Sequence, residues 1–230
     1  RLSEIASGLL SQAGLSFRRQ SRGLFARVKG IPIELIFLRT DDIPTLCAEG
    51  AIDMGITGSD LVQESGMAVN TRMKLGVGNC RLAVCVPIDA DLQSAKDLDN
   101  KSIATSFPNI TSRYLADAGV KSHLVSLSGS VEVMIQLGVA DAIVDLVETG
   151  STLAANRLRI LDEIDHYETV LIQNYFDRDV KTADRVVRRL EGVVIARDYS
   201  LLDYNVPRRQ LAEAEAITPG FDSPTVDRKS

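Results

Sequence analysis

The stretch "DAIVDLVETGSTL", residues 141–153, concentrates the residue types that handle a phosphorylated sugar. An apolar run carries Asp141, Asp145 and Glu148, breaks at Thr149-Gly150-Ser151-Thr152, and resumes with Leu153 and Ala154. Gly150 can take a positive φ and lets an anion approach the backbone closely. Successive amides of such a turn, with the start of a following helix, make a phosphate cradle. Thr149, Ser151 and Thr152 add hydroxyl donors, and Asp145 is placed to accept from sugar hydroxyls or to help position Mg²⁺. The same residues also read as a plain strand–turn–helix junction capped by a hydroxyl, and the loop alone does not separate the two readings. The pattern GxxxxGK[ST] is missing, which disfavours a P-loop NTPase.

The elements that must position this loop follow from hydrophobic periodicity. Strands are predicted at 33–39, 51–58, 81–87, 102–105, 123–127, 141–147, 169–174 and 199–204. Helices are predicted at 40–50, 59–66, 109–120, 131–138, about 178–191 and 207–217. Asp41 or Asp42 caps the first of these, Pro44 lies in its first turn and Gly50 ends it. Ser59 or Asp60 opens the second and Gly66 closes it; Asn109 caps the third. Such alternation predicts parallel sheets covered on both faces. The expected architecture is α/β: two lobes with a cleft between them, joined by a crossover at 72–80. Ligands of open α/β sheets bind beyond the carboxyl ends of strands, which is where 148–152 lie.

Composition narrows the function classes. The chain has 230 residues, 45% of them apolar, and a formal net charge of −5. That balance excludes a general nucleic-acid or anionic-membrane binder. No apolar run reaches the length of about 18 residues that a membrane span needs. Cys47, Cys80 and Cys85 are odd in number and form no CxxC, and read as reduced, packed thiols of a cytoplasmic protein. The sequence opens at Arg1 directly in a helical pattern, so it is expected to be cut from something longer. The tail at 217–230, rich in Pro, Ser and charge, reads as a linker.

Several segments resemble one family, the ATP phosphoribosyltransferases that open histidine biosynthesis. "FLRTDDIPTLCAEGAIDMGITGSDLV" (37–62) looks like that family's first lobe. "GVGNCRLAVCVP" (76–87) looks like its crossing segment. "IATSFPNITSRYLA" (103–116) and "LSGSVEVMIQLGVADAIVDLVETGSTLAAN" (127–156) look like its second lobe, and "ITPGFDSPTV" (217–226) like the junction into the regulatory domain of the long form. The loop at 145–152 is similar to a phosphoribosyl-pyrophosphate motif, with Leu146 where a second acid usually stands.

The resemblance implies two periplasmic-binding-protein-like lobes of type II. Lobe I would be 1–81 with 159–216, lobe II 82–158, and 217–230 a stub leading to a C-terminal regulatory domain whose sequence does not follow. It implies a transferase using ATP, phosphoribosyl pyrophosphate and Mg²⁺, built from dimers and hexameric in the long form. Histidine would inhibit through the C-terminal domain. Carried over by position, Glu148, Thr149, Gly150, Ser151 and Thr152 hold the 5′-phosphate, Glu148 through its backbone. Asp145 faces the ribose hydroxyls. Arg39 contacts pyrophosphate, or else pairs with Asp41 or Asp42; Arg22 is a second candidate of that kind. Arg1 matches the end of the family's Lys-Gly-Arg turn. Gly78 and Cys80 border the ATP site, Cys80 mainly as packing. Glu132 reaches the cleft, or neighbours a helix cap made by Ser130. Which carboxylate holds the metal is left open, and His123 and His166 receive no function. The competing readings are a two-lobed solute-binding protein that closes without chemistry and a non-catalytic regulatory relative.

Overall fold

The computed structural model describes residues 2–20, 23–176, 178–199, 202 and 204–219. The chain divides into two units, Arg1–Ile195 and Ala196–Ser230. In the larger unit the chain builds most of one lobe, crosses to a second, completes it, and crosses back.

The first lobe begins with α1 (Leu2–Gln12), the antiparallel pair β1 (Phe25–Arg27) and β2 (Glu34–Ile36), α2 (Ile43–Ala48), β3 (Met54–Gly58), α3 (Ser59–Ser65) and β4 (Asn70–Lys74). Residues 75–79 lead into β5 (Cys80–Pro87) of the second lobe. There follow β6 (Ser102–Thr105), α4 (Pro108–Asp117), β7 (His123–Ser126), α5 (Val133–Gln136), β8 (Ala142–Val147), α6 (Ser151–Ala155) and β9 (Leu158–Tyr167). Glu168 is the return crossing, and β10 (Thr169–Gln173) and α7 (Val180–Ala196) complete the first lobe.

Each lobe has its own core. Leu9, Leu15, Leu75, Leu171, Val187 and Leu190 pack α1 and α7 against one face of the β3–β10–β4 sheet, while Cys47, Val170 and Ile172 cover the other. In the second lobe Leu82, Val84, Ile103, Ile110 and Val144 fill one face of the five-stranded sheet, and Ala83, Cys85, Val131, Ile143 and Val147 the opposite one. Alternate residues of β5 and β8 thus serve opposite faces, the period-2 consequence of a strand covered on both sides.

The expectation of parallel sheets holds for β7–β6–β8, which are parallel throughout. It fails elsewhere. In the first lobe β10 lies between β3 and β4 and runs antiparallel to both. In the second, β5 runs antiparallel to β8 and to β9. The cause is the double crossing: the strand that enters each lobe from the other, β5 in the second and β10 in the first, inserts against the direction of its strand–helix repeats. Residues 159–167, expected in lobe I, pair with β5, so the chain changes sheets at Glu168.

Three strands went unforeseen: β1, β4 and β9. β4 (Asn-Thr-Arg-Met-Lys) and β9 (with Asp162, Glu163 and Asp165) are edge strands whose charges blunt an open edge and mask strand periodicity. Asn109 is not a cap: Phe107 is at the cap position of α4, with Pro108 in the first turn. Gly58, rather than Ser59 or Asp60, precedes α3, and Gly66 closes that helix at φ +64° as expected. Asp42 precedes α2 without a side-chain cap bond.

In the second unit a 3-10 turn, Arg208–Gln210, leads into α8 (Leu211–Ile217). Tyr199, Leu202 and Tyr204 carry no strand, contrary to the expectation for 199–204; the other positions of that stretch that would decide it lie outside the described residues.

Candidate active site

The loop after β8 takes the form its composition implied. β8 ends at Val147, and Gly150 stands at φ +75°, ψ 0° immediately before α6. That left-handed conformation favours glycine. Glu148, Thr149, Ser151 and Thr152 are exposed. The Thr149 and Ser151 hydroxyls lie 3.0 Å apart, so two hydroxyls converge over the turn. Gly150 itself stands at the cap position of α6, so the Thr or Ser cap of the plain-junction reading is not at that position. Asn156 braces the helix from behind, donating to the Thr152 carbonyl and accepting from Gln136 of α5.

Asp145 lies opposite Ala83 in the β5–β8 ladder and is half-buried. Its Oδ1 accepts the Leu146 N–H at 2.8 Å. Burial raises its pKa above the ordinary aspartate range; the Leu146 N–H pulls it partly back, and the Glu132 carboxylate pushes it further up. Glu132 is thus the acid whose charge acts on Asp145. The Ser130 alternative fails: Ser130 sits at φ +54°, and Glu132 itself occupies the position before α5.

Arg39 is exposed and, among the described residues, makes no ion pair with Asp41 or Asp42. Its segment is tied down by Thr57, whose hydroxyl donates to the Thr40 carbonyl at 2.8 Å, beside the carboxyl end of β3. Arg1 and Arg22 lie outside the described residues.

The floor between the lobes is the pair of crossings. The Leu75 N–H donates to the Thr169 carbonyl and the Thr169 N–H to the Val77 carbonyl, each at 2.9 Å. Gly78 has φ +68°, and a Cβ there would lie 2.6 Å from Thr169 Oγ1. A side chain would thus push the two crossings apart. Cys80 opens β5 opposite Tyr167 of β9. Burial, then the charges of Asp60 and Glu148, pushes its thiol up to about 11, which makes packing its role rather than thiolate chemistry. Asp60 comes from the first lobe and Glu148 from the loop of the second, so charges of both lobes act on the Cys80 thiol.

Asp60 is the residue that the sequence reading left in a capping role. The rule that selected 148–152 also selects Gly58-Ser59-Asp60, which lie at the carboxyl end of β3. What hid Asp60 is that an acid in a first helical turn is ordinary.

Two α/β lobes joined by two crossings, with loops at the carboxyl ends of their strands facing a cleft, are the type II periplasmic-binding-protein-like fold. The substrate binding protein of an amino acid ABC transporter shares it at TM-score 0.56 and 18% identity, over 85% of this chain and 80% of that chain, a likeness of fold alone. The family is given by closer matches. The family model "HisG: ATP phosphoribosyltransferase" matches residues 39–192, and that of the HisG C-terminal domain matches 196–228. The ATP phosphoribosyltransferase of Rhodopirellula baltica is 73% identical over 227 residues, covering 99% of this chain and 76% of that protein. A chain of the ATP phosphoribosyl transferase (HisG:HisZ) complex from Thermotoga maritima matches at TM-score 0.74 and 31% identity, over 85% of this chain and 94% of that one. This chain belongs to the ATP phosphoribosyltransferase family. The second model begins where the smaller structural unit begins, at Ala196, ahead of the boundary at 217 drawn from composition.

Proposed function

We propose that the protein condenses ATP with phosphoribosyl pyrophosphate to N1-(5-phosphoribosyl)-ATP and pyrophosphate, the first step of histidine biosynthesis. The observation that carries this reading is the family match over 39–192, which contains the whole glycine-turn loop with its hydroxyls intact. Retention of that loop disfavours a solute-binding or purely regulatory role.

Adenine N1 has a free lone pair, so no base is needed to uncover it. The demanding events are departure of pyrophosphate and growth of charge on the ribose ring. Catalysis is then positioning and electrostatic stabilisation, with no covalent enzyme intermediate. The backbone of 148–152 and the hydroxyls of Thr149, Ser151 and Thr152 hold the 5′-phosphate. Asp145 orients the ribose hydroxyls. Arg39 approaches the leaving pyrophosphate, with Arg22 a further candidate. Gly78, Cys80 and Glu132 border the ATP site, and Arg1 is assigned there by the family pattern alone.

Among the described residues no three His, Cys, Asp or Glu side chains cluster as a metal site. Mg²⁺ would be held by the substrate phosphates with one carboxylate such as Asp145, as is usual for this ion. Bound there, it would neutralise the departing pyrophosphate. The protein is further proposed to be cytoplasmic and to form dimers; in the full-length long form these would assemble as a hexamer that histidine inhibits through the regulatory domain to which 217–230 lead.

The test is product formation by the full-length protein with ATP, Mg²⁺ and phosphoribosyl pyrophosphate. Product is followed by the ultraviolet change of N1-substituted adenine, with pyrophosphatase added. Wild-type turnover that Thr149→Ala with Thr152→Ala loses supports both reaction and loop. A folded wild type without turnover refutes the reading.

A further inference from the structure

Asp60 is 6% exposed and stands just past the carboxyl end of β3. Among the described residues it has no ion pair with lysine or arginine, and backbone N–H groups of Leu61 and of Asp60 itself are what its carboxylate meets. Gly58 makes this placement possible, since a Cβ there would lie 2.0 Å from Asp60 Oδ1.

Its surroundings place it at the cleft floor. The Ser59 N–H donates to the Glu168 carbonyl at 2.9 Å, and the Glu168 N–H donates to Ser59 Oγ at 3.1 Å. These bonds pin residue 60 to the return crossing, next to Tyr167. Tyr167 faces Cys80 across the β5–β9 ladder and is 5% exposed. Its hydroxyl has no hydrogen-bond partner among the described residues, an unusual condition for a buried phenol. The charge of Asp60 acts on both the Tyr167 hydroxyl and the Cys80 thiol, and Glu148 of the phosphate loop acts on the same thiol. The backbone of residue 60 is therefore held beside the return crossing, one residue from Tyr167, whose ladder partner is Cys80.

The reaction explains what such an anion is for. The N1 lone pair of adenine becomes the N1–C1′ bond. The C1′–O bond breaks and its electron pair leaves with pyrophosphate. The adenine ring gains one positive charge, shared among N1, C6 and the exocyclic N6. Its amino protons become stronger donors as the bond forms. An anion at N6 binds the transition state more tightly than it binds ATP, and so lowers the barrier rather than only KM. The phosphates are unsuited to this position, because a buried carboxylate repels them. The base is the part of either substrate that turns cationic at the nucleophile.

We infer that Asp60 is a further catalytic residue: its carboxylate accepts a hydrogen bond from the adenine 6-amino group and stabilises the positive charge that N1 attack places on the ring. This inference rests on the reaction proposed above.

The test pairs Asp60→Asn with removal of the amino group. Steady-state kinetics of the full-length enzyme are measured with ATP and with purine riboside 5′-triphosphate, which keeps N1 and lacks the amine. With ATP, Asp60→Asn is expected to lower kcat about 100-fold, with KM for phosphoribosyl pyrophosphate unchanged. With the desamino nucleotide, the wild type is itself slow and the substitution costs little more. Equal losses with both nucleotides, a change confined to KM for phosphoribosyl pyrophosphate, or no loss with ATP would each overturn the assignment. Circular dichroism confirms that the variant is folded. A wild type inactive with ATP would instead sink the reaction itself.

Discussion

Glu64 of the first lobe caps a helix of the second by accepting from Asn109. Its Oε1 takes the Asn109 N–H at 2.8 Å and its Oε2 the Ile110 N–H at 2.9 Å. The Asn109 side chain returns a bond to the Glu64 carbonyl at 2.9 Å, and Arg113 donates to the Gln63 carbonyl at 3.2 Å. The end of α3 is thus latched to the start of α4. Glu64→Ala leaves two helix-start donors unpaired and should cost about 1–2 kcal/mol in urea unfolding. Glu64→Gln, which keeps one acceptor, should lose less. Equal stability of all three proteins would mean that the latch carries no energy.

Gly78 holds the crossings together by having no side chain. Alanine there meets Thr169 Oγ1 at 2.6 Å and must also hold φ +68°. Thr169 is buried and β-branched, so it cannot rotate clear. Gly78→Ala should destabilise by about 2–4 kcal/mol. Gly150→Ala meets nothing within 4 Å and carries only the strain of φ +75°, on the order of 1 kcal/mol. Thermal melts of the two variants should rank in that order, and the reverse would contradict the crossing geometry.

Asp60 and Asp145 set a pH dependence. Burial raises both above the ordinary aspartate value of 3.8. An acid whose folded pKa is raised holds its proton more tightly in the folded state. Stability from such a group is fully present below the ordinary value and is lost as pH rises through the raised one. Asp145→Asn should therefore be more stable than wild type at neutral pH, with the gap narrowing in denaturant melts at about pH 4. A gap that widens on acidification would have the wrong sign.

The cysteines should react slowly. Cys47 and Cys85 are fully buried, with thiols pushed up to about 11 and about 12, chiefly by burial. Cys80, half-buried and at about 11, should be the first of the three to be modified. Titration of the native protein with a disulfide reagent at mildly alkaline pH should show one slow phase ahead of two slower ones. A fast phase would mean a thiolate that this packing does not allow.

The sequence by itself determined the strand–helix repeat from β6 to β8, the glycine turn at 148–152 and the family. Each of these rests on local information: side-chain period, the φ freedom of Gly150, and contiguous motifs. Tertiary structure alone decided that β10 runs against β3 and β4, that β9 belongs to the second lobe, and that the start of α3, with Asp60, is tied to the return crossing at Glu168. Periodicity reports which face of a strand is buried, but not which strand lies beside it or in which direction. The crossings at 75–79 and Glu168 supply that information, because they bring the carboxyl end of β3 to a place that no spacing along the chain encodes. Glu64 and Asn109 are 45 positions apart, and only the closed fold makes one the cap of the other.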